Sequence, residues 1–154
     1  MKSVIVYIDM DNVLVEFTSA FPHLDPQVLA KHKAENTVDE IPGIFSLMEP
    51  VTGAVEAFEK IAAHYDTYIL STAPWENPSA WSDKLLWVKK YLGKPAYKRL
   101  IISHNKNLNR GDYLIDDRYH NGARHFKGEL IHFRSERFPD WKAVTDYLVP
   151  EAKH

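Results

Sequence analysis

Two aspartates one residue apart, Asp9 and Asp11, close the apolar run "VIVYI" near the start of the chain. Ser71 and Thr72 close a second apolar run, "TYIL". Lys106 follows a third, "RLIIS", and Asp116 and Asp117 close a fourth, "YLI". Carboxylates brought together repel one another, so such a set calls for a cation. Hard oxygen donors without His or Cys suit Mg²⁺, which often shares its shell with phosphate oxygens of a substrate. A carboxylate held beside that ion is competent to attack phosphorus and form an aspartyl-phosphate. A second carboxylate two residues on can reach the leaving oxygen and act as acid, then base. A hydroxyl and a lysine would bind the remaining phosphoryl oxygens and stabilise their charge in the transition state.

Each residue alone has an ordinary explanation in capping, turn formation or solvation. Their common position, each just past an apolar run, asks what the runs are. Residues 4–8, 67–70, 99–103, 113–115 and 129–133 are short, apolar and rich in β-branched side chains, which predicts buried strands. Between them lie helical patterns. Val51, Val55, Phe58 and Ile61, flanked by Ala54 and Ala62, mark one stripe. Ser82 or Asp83 is expected to cap the next helix, with Trp81, Leu85, Val88 and Leu92 on its apolar face and Gly93 as its stop. A short helical turn is expected at 119–126. A last helix, capped by Asp140, would bury Trp141, Val144 and Leu148. Alternating strands and helices predict an α/β fold with a parallel sheet covered on both faces. Ligands bind such sheets at the carboxyl ends of the strands. Residues 14–50 break the alternation with four prolines and one helix near 26–35, so they read as an insertion, a small cap over the strand ends.

Bulk composition narrows the setting. The chain has 154 residues, 45% of them hydrophobic, which suits one domain spanning 1–154. A net charge of −2 offers no basic field for a nucleic-acid polymer. There are no cysteines, so disulfides and thiolate metal sites are absent. The start "MKSVIVYID" lacks a leader pattern, and no run approaches membrane-spanning length, which predicts a cytoplasmic protein. The eight histidines show no metal-ligand spacing and read as mostly surface; His104 and His120 lie near the proposed loops as bystanders. Trp87, Trp141 and Trp81 read as core. Lys84 is a second cation near the set, but its helical pattern predicts a solvated face.

The residues also carry a resemblance. "DMDNV" is similar to the D-x-D-x-[TV] first motif of haloacid dehalogenase-like phosphatases, and the hydroxyl, the lysine and "IDD" follow in that superfamily's order. The longer phrases "DMDNVLVEF", "EPVTGAVEAF", "STAPW", "KLLWVKKYLG" and "LIISHNKNLNRGDYLIDDR" resemble the 5'(3')-deoxyribonucleotidase branch, in its short bacterial form, over nearly all the chain except 18–43. The resemblance implies a Rossmann-like three-layer sandwich with a small helical cap. It implies Asp9 as nucleophile and Mg²⁺ ligand. Asp11 would be the acid/base, with its backbone carbonyl on the metal. Thr72, with Ser71 as alternative, and Lys106 would bind phosphate. Asp116 and Asp117 would hold the metal and its waters, undivided between direct ligand and water holder. Phe17 falls where the branch sets an aromatic against the nucleobase, although packing the cap onto the core is an equal role for it. Arg118 falls near the substrate, and Trp75 either lines the pocket or is structural. Asn12 stands where the animal enzymes commonly have glycine.

The implied activity is Mg²⁺-dependent hydrolysis of nucleoside monophosphates, 5'(3')-deoxyribonucleotides above all. The sequence itself is compatible with a monomer or a homodimer. A phosphatase for another small ester, such as a sugar phosphate, shares the same motifs. A phospho-acceptor signalling domain would need the acidic pair at the first strand and the acceptor later, which is the reverse of the order here. A silent nucleotide-binding protein is the remaining alternative.

Overall fold

The computed structural model describes residues 4–150. The two ends of the expected 1–154 domain, including the first residues of the segment read for a leader, lie outside the described residues. Strand β1 (Ile5–Ile8) is followed by the insertion. The insertion opens with β2 (Val15–Glu16), passes through α1 (Pro26–Glu35) and 3-10 turns at Phe17–His23, Val38–Glu40 and Ile44–Leu47, and closes with β3 (Glu49–Pro50), antiparallel to β2. Then come α2 (Ala54–His64), β4 (Asp66–Ser71), α3 (Pro78–Tyr91), β5 (Leu100–Ile102), β6 (Tyr113–Asp116), β7 (Glu129–His132) and α4 (Trp141–Leu148).

Five strands form one sheet in the order β5-β4-β1-β6-β7, with every neighbouring pair parallel. The chain builds outward from β1 to β5 on one side, then crosses back to add β6 and β7 on the other. β1 is therefore the switch point, where α/β sheets open a crevice at the strand ends. The register sets Ile8 beside Ile69 and Ile115, so Asp9 emerges level with Asp116.

Strand alternation sorts the core. Val6 and Ile8 join Phe58 and Ile61 of α2, Trp87 and Val88 of α3, and Val144 and Leu148 of α4 in one buried cluster. That cluster also takes in Ala20, Ile44, Phe45 and Met48 of the insertion, so the insertion shares the core of the sheet. Tyr7, Leu70 and Leu114 face the other way. They are covered by Ala123 and Phe126 rather than by a long helix, with a 3-10 turn at Ala123–His125 where a helical turn was expected.

Two helix ends follow ordinary capping. The Asp25 carboxylate accepts from the amides of Gln27 and Val28, Pro26 opens α1, and Asn36 closes it at φ 58°. Asp140 caps α4 as expected, accepting from Ala143 N at 2.9 Å. Helix α3 departs from expectation. It starts at Pro78, with Asn77 at its N-cap, so Ser82 and Asp83 lie inside it. Its buried face is Ala80, Lys84, Trp87 and Val88; Trp81 and Leu85 are 38% and 43% exposed.

Trp141 ties α4 to the loop after β1. It is buried, its Nε1 donates to the Val13 carbonyl at 2.8 Å, and its ring lies 5.0 Å from that of Phe133. Trp141→Ala is expected to cost about 3–5 kcal/mol through the cavity and the orphaned carbonyl. Chemical denaturation should show a lowered midpoint at unchanged slope.

Candidate active site

The loop after β1 is compact. The Met10 carbonyl accepts from the amides of Val13, Leu14 and Val15 at 3.1, 2.9 and 2.9 Å, and Asn12 N donates to Val15 O at 2.7 Å. This tight return needs a left-handed residue, and Asn12 supplies it at φ 62°. Asparagine tolerates that region better than most other side chains, so the turn forms without glycine. Arg134 clamps the loop from outside, with Nε donating to Asn12 O at 2.8 Å and Nη2 pairing with Glu16 at 2.9 Å.

The loop delivers Asp9 to the crevice beside the end of β6. Carboxylate oxygens of Asp9, Asp116 and Asp117 lie within 4.8 Å of one another. Lys106 comes in from the loop after β5. It is 3% exposed, and its Nζ donates to Asp9 Oδ1 at 3.1 Å and Asp116 Oδ2 at 2.6 Å. Its own loop rests on the turn at Asn121–Gly122, where Asn121 O accepts from Lys106 N at 2.7 Å. Gly122, at φ +85°, has no room for a side chain: a Cβ would come within 2.9 Å of Lys106 N.

The electrostatics describe a site short of positive charge. Burial first, and the Asp9 charge second, push Asp116 up to about 8, against the pull of Lys106. The same two causes push Asp117 up to about 6. Burial works against the Lys106 ammonium, but Asp9 and Asp116 outweigh it and the net shift is upward. One lysine does not balance three clustered carboxylates. Asp117 Oδ1 is also buried with no hydrogen-bond partner. An unpaired buried oxygen and a set of hard oxygen donors both fit a divalent cation such as Mg²⁺.

The remaining expected residues fall into two groups. Thr72 and Arg118 line the same cleft as Asp9, Asp11, Lys106 and Asp116, together with His120 and Asn121. Thr72 Oγ1 donates to Ser103 O at 2.7 Å, and Arg118 N donates to Asp116 Oδ1 at 3.1 Å. An adjoining cavity of about 320 Å³ shares Asp11 and Arg118 and is lined by Asn12, Phe17, Asn36, Val38 and Asp39 of the insertion. That is the low end of small-ligand pockets, which run about 300–1,000 Å³. Phe17 stands edge-on to Phe21 and Phe45, so it both packs the insertion and faces this cavity.

Ser71 and Trp75 do not line either space. Ser71 is wholly buried and its Oγ accepts from Lys84 at 2.9 Å. Trp75 is 75% exposed and stands edge-on to His104. Lys84, expected on a solvated face, is 0% exposed and donates to Asp11 Oδ1 at 3.0 Å. Hydropathy patterning missed it because lysine counts as polar; the available signal was its helical spacing from Ala80, Trp87 and Val88, which puts all four on one face. Asp11 itself lies outside the three-carboxylate cluster. Burial raises its pKa, Lys84 opposes that, and Asp9 adds to it.

A larger groove of about 850 Å³ lies between α3 and the edge strand β5. It holds cations and apolar side chains but no carboxylate or hydroxyl group from the motifs, and it shares no residue with the acidic cleft.

The chain is similar to known proteins over most of its length. The family model for the 5' nucleotidase, deoxy (pyrimidine), cytosolic type C protein matches residues 37–150. A Vibrio phage KVP40 protein bearing the assignment 5'(3')-deoxyribonucleotidase is 58% identical over 149 residues, covering 97% of this chain and 86% of the relative. One from Bordetella pertussis with the same assignment is 34% identical over 137 residues, covering 74% of each. Among solved structures, the HAD-hydrolase YfnB from Bacillus subtilis, bound to magnesium, aligns with a TM-score of 0.63 at 10% identity, over 97% of this chain and 100% of that one. At that identity the likeness is one of fold.

Proposed function

This chain belongs to the 5'(3')-deoxyribonucleotidase family of haloacid dehalogenase-like hydrolases, and from that premise we propose that it removes phosphate from deoxyribonucleoside monophosphates, with Mg²⁺, by way of phospho-Asp9. The observation that carries the reading is the cluster of Asp9, Asp116 and Asp117 with Lys106 inserted among them.

Asp9, Asp116 and Asp117 would hold the metal, which when bound neutralises their charge and that of the phosphoryl oxygens. Lys106 and Thr72 would take up the remaining phosphoryl oxygens. In the first step an Asp9 carboxylate oxygen attacks phosphorus. The ester P–O bond breaks, and Asp11 gives its proton to the departing sugar oxygen, releasing the nucleoside. In the second step Asp11 takes a proton from water as the water oxygen attacks phosphorus. The bond to Asp9 breaks, phosphate leaves, and both carboxyl groups return to their starting forms. The raised pKa of Asp11 supports the acid role, because an acid must hold its proton until the transition state. The cavity under the insertion, with Phe17, Asn36 and Arg118 on its walls, is the space for the nucleoside.

A panel of monophosphates tests the substrate class. The kcat/KM for 5'- or 3'-deoxyribonucleotides is expected to exceed that for ribonucleotides and sugar phosphates by about 10-fold or more. Activity should vanish in EDTA and return with Mg²⁺. A preference for sugar phosphates over every nucleotide would replace the nucleotide reading with a sugar phosphatase of the same mechanism.

A further inference from the structure

A lysine with no exposed surface in the middle of a helix needs a reason, because a buried ammonium is costly unless its hydrogens are matched. Lys84 is matched on three sides by three separate parts of the chain. Its Nζ donates to Asp11 Oδ1 at 3.0 Å, in the loop after β1. It donates to Ser71 Oγ at 2.9 Å, at the end of β4. The ring of Phe45, in the insertion, lies with its centroid 4.4 Å from the same nitrogen. We propose that Lys84 is the positioning residue for Asp11, and that Phe45 makes this positioning depend on the seating of the insertion over the site.

The proposal rests on the reading of Asp11 as the proton donor and adds to it what holds the donor in place. Asp11 sits on a short loop and its side chain is 24% exposed, so the loop alone leaves its carboxyl free to turn. Lys84 holds one of its oxygens and leaves the other for the leaving group. Ser71 fixes the ammonium from the strand side, which explains a serine wholly buried beneath the expected phosphate-binding turn. Phe45 closes the third side with the negative face of its ring, an attraction that exists only while the insertion is docked. Trp87 Nε1 donates to Met48 O at 3.1 Å and keeps that docking in register with α3. Lys106 has a different role: it reaches Asp9 and Asp116 and does not contact Asp11 by hydrogen bond.

The test separates a displaced proton donor from a general loss of fit. Lys84→Met keeps the length and burial and removes the charge. Its kcat/KM is compared on two esters: whichever alkyl monophosphate the unsubstituted enzyme hydrolyses best, and p-nitrophenyl phosphate, whose leaving group departs without a proton. The alkyl ester is expected to lose about 10²-fold and the aryl ester less than about 10-fold, with KM little changed. Asp11→Asn should show the same bias, larger. Phe45→Leu should show it more weakly, at about 3-fold. Equal losses on the two esters in Lys84→Met, with the bias present in Asp11→Asn, would overturn the role of Lys84 alone. No bias in Asp11→Asn would overturn the acid assignment and this proposal with it. If Lys84→Met does not fold, Ser71→Ala carries the comparison, and equal losses there count against the proposal in the same way.

Discussion

Asp9→Asn is expected to lower kcat by about 10⁴-fold or more on every monophosphate the enzyme accepts. The amide keeps the shape of the carboxylate and can still accept from Lys106, but it cannot serve as the nucleophile toward phosphorus. The fold should survive, and its stability should move in an instructive direction. Without metal, Asp9 is the neighbour whose charge, after burial itself, pushes Asp116 and Asp117 upward. Removing that charge relieves repulsion, so in metal-free buffer the melting temperature is expected to hold or rise. Adding Mg²⁺ should then stabilise the variant less than the unsubstituted enzyme, because a ligand stabilises only in proportion to its binding. Normal turnover in this variant would remove the nucleophile assignment. Trapping the acid-stable or reduced phospho-enzyme in the unsubstituted chain and finding none in the variant would support it.

Lys106→Met is expected to act on the same cluster with the opposite sign on stability. Lys106 is the buried cation between Asp9 and Asp116. Its removal leaves buried carboxylates uncompensated, at a cost of about 3 kcal/mol in metal-free buffer. Mg²⁺ should restore part of that. Activity is expected to fall by about 10²–10³-fold, because the ammonium no longer meets the phosphoryl oxygens where charge develops. Lys106→Arg should recover little, because a planar guanidinium does not fit a cavity shaped for a compact ammonium. A variant with near-normal turnover would assign Lys106 to holding the carboxylates alone.

These two residues were legible in the sequence for a physical reason. A parallel sheet brings the carboxyl ends of its strands to one edge whatever the loops do, so residues just past apolar runs must meet. That logic reached Asp9, Asp116, Asp117 and Lys106, now seen together. It also reached α4, because Asp140, Trp141, Val144 and Leu148 follow local rules of capping and periodicity. It did not reach α3. The helix starts at Pro78 instead of near Ser82, which turns its buried face toward Lys84 and leaves Trp81 and Leu85 half out. What permits this is Asp11, 73 residues earlier, which matches the lysine's charge. No local pattern records a partner at that distance. Asn12 was legible only as a departure from glycine; its φ of 62° lies in the left-handed region that asparagine tolerates.

The place of β1 in the sheet has a consequence for how the molecule comes into being. β1 is made first and lies at the centre, between β4 and β6. As the chain leaves the ribosome, "IVYI" has no neighbour until Asp66–Ser71 emerges, and its second neighbour comes only with Tyr113–Asp116. Both of its edges are open for that interval, the state in which apolar strands find wrong partners. Distant pairing also slows folding, since loop closure must precede the contacts that reward it. A nascent chain that stops short of Tyr113 carries Asp9 and Asp11 but neither of the aspartates opposite, so the acidic cluster is among the last features to form.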